Sequence, residues 1–252
     1  MRLLVINPNT SHKMTDTIRV SAVEAAGDAA VVDTVCPRNG PKSIEGRFDE
    51  VVSAYWTLDQ AMELAPGYDG VILACYSQHV VIGALREALS QPVVGIMEAS
   101  IMYALPLGNR FSIVTTSRRW QPLLEEGVLV LGLQDRCASV RSTNLAVLDL
   151  ERLPDEDVIR ALCDAAHAAV THDDAEVICL GCAGMAGLEE AVRQAIGVPV
   201  VDPVRAAVLM TMGMVQNGLS TSKRNSYSPI LSRPSDELPS GLAHAYQSAS
   251  RA

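Results

Sequence analysis

Aromatic side chains are scarce in this 252-residue sequence, with two Phe, two Trp and six Tyr. Few rings are available to stack on bases, and 29 acidic against 20 basic residues give a formal net charge of −9 that repels phosphate. Nucleic acid is therefore not an expected partner. Long hydrophobic runs are missing too. The first apolar stretch, 3–6, ends at Asn7 and Pro8 and is too short for the core of an export signal. No uncharged apolar run approaches the ~20 residues of a membrane span, so no membrane association is expected. Cysteine is sparse: six residues (36, 75, 137, 163, 179 and 182) are scattered along the chain, unlike the dense pattern of a small secreted scaffold. The reading is a cytoplasmic protein with free thiols, in which the sequon Asn9-Thr10-Ser11 is idle.

What is present is apolar aliphatic material, 48% hydrophobic against 19% charged, enough for one large domain or two compact lobes. Short β-branched runs alternate with stretches of helical spacing. Strands are expected at 3–6, 30–35, 71–74 and 93–96, with helices over 11–26, 51–64 and 82–89 between them. This is the signature of a parallel sheet covered on both faces. The order then restarts. Strands are expected at Phe111–Thr115, 145–148, Val177–Leu180 and 198–201, and helices over 155–171, 188–195 and 203–214, the last with Pro203 in its first turn.

An internal repeat supports the restart. Cys75 closes one apolar run and Cys182 another, 107 positions later. Pro92-Val93-Val94 and Pro199-Val200-Val201 stand at the same spacing. The expected fold is α/β: two similar lobes, each a parallel sheet flanked by helices, related by a pseudo-twofold. Ligands bind beyond the carboxyl ends of strands in such sheets, which puts the site in the cleft between the lobes. Four strand-to-helix turns fall there, at Asn7–Thr10, Cys75–Ser77, Thr115–Ser117 and Cys182–Gly184.

Cys75 and Cys182 then face one cleft from opposite sides. A helix N-terminus lowers a thiol pKa, so both are expected near neutral pH, where one thiolate can remove a proton from carbon and the opposite thiol can return one to the other face. Cys36, Cys137, Cys163 and Cys179 read instead as small buried hydrophobes. Cys179-Leu180-Gly181-Cys182 lacks the second pair that a zinc site needs, and no metal site is expected. His79, four residues after Cys75, either tunes the thiol, touches the ligand or sits on a helix surface. Asn9 and Thr10 either cap the first helix, bind substrate oxygens, or do both, and Thr115 and Thr116 carry the same alternatives. Glu98 is either a helix-start carboxylate or a cleft residue.

Several ordered motifs resemble one family. Ile6-Asn7-Pro8-Asn9-Thr10-Ser11, Gly40-Pro41-Lys42-Ser43-Ile44-Glu45, Ala74-Cys75, Gly181-Cys182-Ala183-Gly184-Met185 and the late Thr221-Ser222-Lys223 with Tyr227 look like the hydantoin racemase branch of the aspartate/glutamate racemase superfamily, which includes allantoin racemases. The resemblance runs from Arg2 to about Pro229. It implies racemisation without a cofactor, catalytic Cys75 and Cys182, and a first lobe of residues 1–98 plus 205–234 around a second of 99–204. The apolar period is lost after Val215 and the end of the chain is rich in serine, so 235–252 reads as a mobile tail. Turns at Asn9, Ser43, Ile44, Tyr76, Thr115, Thr116, Ala183 and Gly184, with His79, would hold a small ring substrate. The fold commonly assembles through helices, so a homo-oligomer is expected.

Amino-acid racemases of the superfamily carry Asn-Thr-Ala after the first cysteine and Thr-His after the second; here Tyr76-Ser77 and Ala183-Gly184 stand there, which turns the expectation from free amino acids to 5-substituted hydantoins. Two alternatives stay open. One is a maleate-type cis–trans isomerase with a nucleophilic cysteine, or a related decarboxylase. The other is a two-lobed ligand-binding protein without catalysis.

Overall fold

The structure is a computed structural model that describes residues 1–231 and 238–248. Two four-stranded parallel sheets form its frame. The first comprises β1 (Arg2–Ile6), β2 (Val31–Val35), β3 (Gly70–Leu73) and β4 (Val93–Gly95) in the order β2-β1-β3-β4. The second comprises β5 (Phe111–Thr115), β6 (Cys137–Ser142), β7 (Val177–Leu180) and β8 (Val200–Val201) in the order β6-β5-β7-β8. The second order repeats the first strand for strand, so β3 and β7 are equivalent, and each leads directly toward one of the two cysteines.

The sequence dictates this arrangement through its apolar runs. Leu3 to Ile6, Val71 to Leu73 and Val177 to Leu180 are all fully buried, as central parallel strands covered on both faces must be. Each large aliphatic side chain so buried contributes about 1.5–3 kcal/mol. The helices of the first half are α1 (His12–Ala26), α2 (Arg47–Leu64), α3 (Val80–Ala88) and α4 (Ile96–Ala104). Those that follow are α5 (Trp120–Val130), α6 (Asp149–Arg152), α7 (Asp155–Asp173), α8 (Glu189–Ile196), α9 (Pro203–Gln216) and α10 (Ser240–Ser248).

Helix α9 returns to the first sheet, packing on α1, α4, β3 and β4. Asp202 fixes where it begins. One carboxylate oxygen accepts the N–H groups of Val204 (2.7 Å) and Arg205 (3.1 Å). The other accepts from Ser21 Oγ and Gly187 N, both at 2.9 Å. A buried carboxylate with four donors stabilises the helix start instead of costing free energy. The apolar residues Ala206, Ala207, Val208 and Met212 are core.

Three local expectations are corrected. The edge strand of the second sheet is β6, at Cys137–Ser142, and not 145–148, which forms a turn leading to α6. Ser11, not Asn9 or Thr10, caps α1, its Oγ accepting from Met14 N at 3.2 Å. Residues 240–248 of the expected mobile tail form α10, packed on α2, where Asp59 Oδ1 accepts the Gly241 N–H at 3.0 Å; 235–237 and 249–252 lie outside the described residues. Thr221 and Lys223 also dock on the body. Thr221 donates to the carbonyls of Ser90 and Gln91, and Lys223 Nζ to that of Arg86 at the end of α3.

Candidate active site

Cys75 and Cys182 line one cavity of about 40 Å³ between the two sheets. Cys75 follows β3 by two residues and Cys182 follows β7 by two, so the repeat in the sequence becomes a pair of thiols on one space. Asn9, Ile44, Tyr76, Thr116 and Ala183 join them in its lining, as expected, together with Pro8, Met14, Trp120 and Val147, which the motifs did not single out as contacts. Ser43, His79, Thr115 and Gly184 are not among the lining residues. Room for only a few water molecules means that a ring must fit tightly or the lobes must part.

The residues beside the cavity are held by a polar scaffold. Asn9 Oδ1 accepts from Asn7 Nδ2 and from the Ser11 N–H, both at 2.9 Å. Thr10 binds the Pro41 carbonyl through its N–H at 2.9 Å, which fastens the loop carrying Ile44. Thr115 donates to the Gly181 carbonyl at 3.1 Å and so fixes the backbone leading into Cys182. Tyr76 turns its hydroxyl away, to Ser100 Oγ at 2.9 Å, leaving its ring as a wall. Links that bridge the lobes around the cleft include Ser11 Oγ to Glu151 (2.5 Å), Lys13 Nζ to the Glu151 carbonyl, Val147 N to Glu45 (3.1 Å) and the ion pair Arg47–Glu126.

The expectation that both thiols titrate near neutral pH is corrected. Burial pushes the Cys182 thiol up to about 11 and the Cys75 thiol further still. Neither cysteine sits at the first turn of an α-helix. A loop separates Cys75 from α3, and Cys182 precedes only a short 3-10 turn at Ala183–Met185. The helix-end field that would favour thiolate is thus weak, and desolvation wins. The Gly184 N–H hydrogen-bonds the Cys182 sulfur and opposes that rise, while the carboxylates of Glu45 and Glu151 add to it.

His79 caps α3 from a position that is only 2% exposed. Its Nδ1 accepts the Val81 N–H at 3.3 Å and its Nε2 lies 3.1 Å from Ser53 Oγ. Burial lowers its pKa to about 4, so it is neutral at pH 7, with Nδ1 as acceptor and Nε2 as donor to Ser53. Glu98 is a helix-start carboxylate, accepting the Gly95 N–H at 3.0 Å and pairing with Arg86. Cys179 is buried, whereas Cys36, Cys137 and Cys163 are only partly covered. Among the described residues no three His, Cys, Asp or Glu side chains cluster as a metal-binding set.

One polar arrangement beside Cys75 is not legible from the motifs. Ser77 Oγ lies 3.5 Å from Cys75 Sγ and donates to Glu50 Oε1 at 2.5 Å. Glu50 sits on α2, 27 positions upstream of Ser77 and just before the helical spacing expected over 51–64. Burial raises its carboxyl pKa, with the hydrogen bond from Ser77 acting against the rise.

Comparison with known proteins matches residues 3–211 to the family model described as Asp/Glu/Hydantoin racemase. A hydantoin racemase of Pseudomonas sp. (strain NS671) is 39% identical over 228 residues, covering 90% of this chain and 91% of that protein. The crystal structure of allantoin racemase from Pseudomonas fluorescens superposes with a TM-score of 0.89 at 42% identity, covering 94% of this chain and all of the other. Allantoin racemase from Klebsiella pneumoniae gives a TM-score of 0.90 at 36% identity, covering 96% and 98%.

Proposed function

The chain belongs to the Asp/Glu/hydantoin racemase family, and we propose that it racemises 5-substituted hydantoins, allantoin among them, by proton transfer at ring C5 between Cys75 and Cys182. It is an isomerase of the racemase type. The observation that carries the finer reading is that two thiols, from equivalent positions after β3 and β7, line one cavity.

The chemistry follows from the substrate and the burial together. The C5–H of a hydantoin is flanked by a ring carbonyl, so the carbanion left by proton removal is an enolate. Backbone N–H groups at the strand-end turns stabilise the charge that develops on its oxygen. A thiolate stripped of water is a stronger base than one in solution, and the same burial that raises both thiol pKa values therefore raises the basicity available for a weak carbon acid. One cysteine takes the C5 proton from its face of the ring. The other delivers its thiol proton to the opposite face, and the configuration inverts. The enzyme is left with thiol and thiolate exchanged. No cofactor is needed because the ring carbonyl holds the electron pair. The substrate is small, and the reaction proceeds in a cytoplasmic enzyme whose copies associate through helix faces such as that of α2, where Phe48 and Val51 are exposed.

The test offers enantiopure allantoin and a series of enantiopure 5-substituted hydantoins in D₂O, following optical rotation and the C5–H resonance. Loss of rotation with deuterium at C5, above the uncatalysed rate, supports the reading and names the substituent preferred. A mass increment on Cys75 during turnover of an acyclic unsaturated diacid, with no ring racemised, would overturn it.

A further inference from the structure

Cys75 lines one cavity and is joined by hydrogen bonds to the wall of another. Its sulfur lines the small cavity shared with Cys182, and through Ser77 it connects to Glu50 and a second cavity of about 380 Å³ on the far side. Both Ser77 and Glu50 line that second cavity. Val80 and Val130 line it as well and are 63% and 68% exposed, so it is continuous with solvent. Cys75 itself is 8% exposed.

We propose that Ser77 and Glu50 form a proton path between Cys75 and the solvent-facing second cavity, by which the Cys75 thiol is emptied and refilled between turnovers. The proposal rests on the racemase reading. Each two-base turnover leaves thiol and thiolate exchanged, so the free enzyme must move a proton before it can act on the same enantiomer again. A buried sulfur in a tight cavity needs a route for that proton.

The hydrogen bonds supply one. The Ser77 hydroxyl donates to Glu50, so its oxygen is free to accept from the Cys75 S–H. Cys75 passes its proton to Ser77 Oγ as Ser77 passes its own to Glu50 Oε1, and the carboxylic acid releases one proton to water in the second cavity. Cys75 becomes thiolate, Ser77 is unchanged, Glu50 returns to carboxylate and Cys182 takes up one proton from water. The groups that set the ionisation of Glu50 are Arg47 on its own helix, which favours the carboxylate, Glu126 on α5, which disfavours it, and Ser77. Neutral His79 lines the same cavity. Ser77 and Glu50 are positioning residues in this scheme and touch no substrate.

The test is the split between kcat and KM in Glu50→Gln and Ser77→Ala, measured with a racemised hydantoin. A slow reset limits turnover only when substrate is abundant. Both constants should therefore fall together by about tenfold or more, with kcat/KM kept within about threefold. Ser77→Thr keeps the hydroxyl and should restore kcat. A fall in kcat/KM at unchanged KM, the mark of a displaced Cys75, overturns the path, as do unchanged constants. Should the native enzyme racemise no hydantoin, that reading fails on its own. The path is then read from iodoacetamide labelling of Cys75 in Cys182→Ser. Adding Glu50→Gln should move the labelling profile to lower pH by about half a unit or more, because a coupled negative charge is removed; an unmoved profile overturns the proposal.

Discussion

Cys75 and Cys182, 107 positions apart in sequence, line the same cavity from equivalent positions after β3 and β7. The Gly184 N–H at Cys182 and the Ser77 hydroxyl at Cys75 favour thiolate, but burial outweighs them and raises both thiol pKa values.

The first consequence is a pH dependence. The proposed proton transfer needs a thiolate, and burial pushes Cys182 up to about 11, with Cys75 raised further. Activity at low substrate should rise by about tenfold per pH unit from pH 7 toward pH 10. Stability should run the other way. The folded pKa of Cys182 lies above its ordinary value of 9.0, so its contribution is fully present below pH 9 and is lost as pH rises toward about 11. Melting temperature across pH 8–11 checks this, and Cys182→Ser should flatten the fall.

His79 predicts the opposite sign in acid. Its folded pKa is lowered from 6.5 to about 4, so its contribution is present above pH 6.5 and disappears as pH falls through 4. His79→Asn keeps an N-cap for α3 without a titrating ring and should remove this loss. His79→Ala removes both the cap and the partner of Ser53 and should cost about 1–3 kcal/mol. Urea midpoints at pH 4.5 and 7 measure both variants.

Gly181 carries a third prediction. A Cβ there would stand 2.8 Å from Ile113 Cγ2, 2.9 Å from the Val114 carbonyl oxygen and 3.0 Å from Thr115 Cβ. The contact with backbone leaves no cheap escape, and the next residue is Cys182. Gly181→Ala should cost about 1–3 kcal/mol and lower kcat/KM by about tenfold or more as Cys182 shifts. Thermal unfolding and steady-state kinetics of that variant give both numbers. A stable variant with native kinetics would contradict a close contact between Gly181 and the backbone of β5.

The frame was legible where burial imposes continuous apolar runs. Leu3 to Ile6 and Val177 to Leu180 could be read as central strands, and the repeat they belong to brought Cys75 and Cys182 together. Edges and irregular helices were harder. Cys137–Ser142 carries only scattered apolar residues because as β6 it is an edge strand, mostly half-covered. The run 145–148 looked like a strand, yet it is a turn whose Val147 faces the cavity. Helix α5 has a weak sequence signal because Pro122 and Gly127 interrupt it. Pro122 falls in the first turn, where its missing N–H costs nothing, and Gly127 lets the helix approach Met97, whose Cε would lie 2.7 Å from an added Cβ. Glu50 is out of reach of any spacing rule: it meets Ser77 only because α2 lies against the loop after β3.

The most direct measurement follows C5–H exchange in D₂O for each enantiomer of one racemised hydantoin with Cys75→Ser and Cys182→Ser. Proton transfer between two thiols requires that both variants stop inverting the ring, by about a hundredfold or more, and that each still exchanges the C5–H of one enantiomer only, a different one in each variant. Racemisation at the native rate in either variant would contradict it.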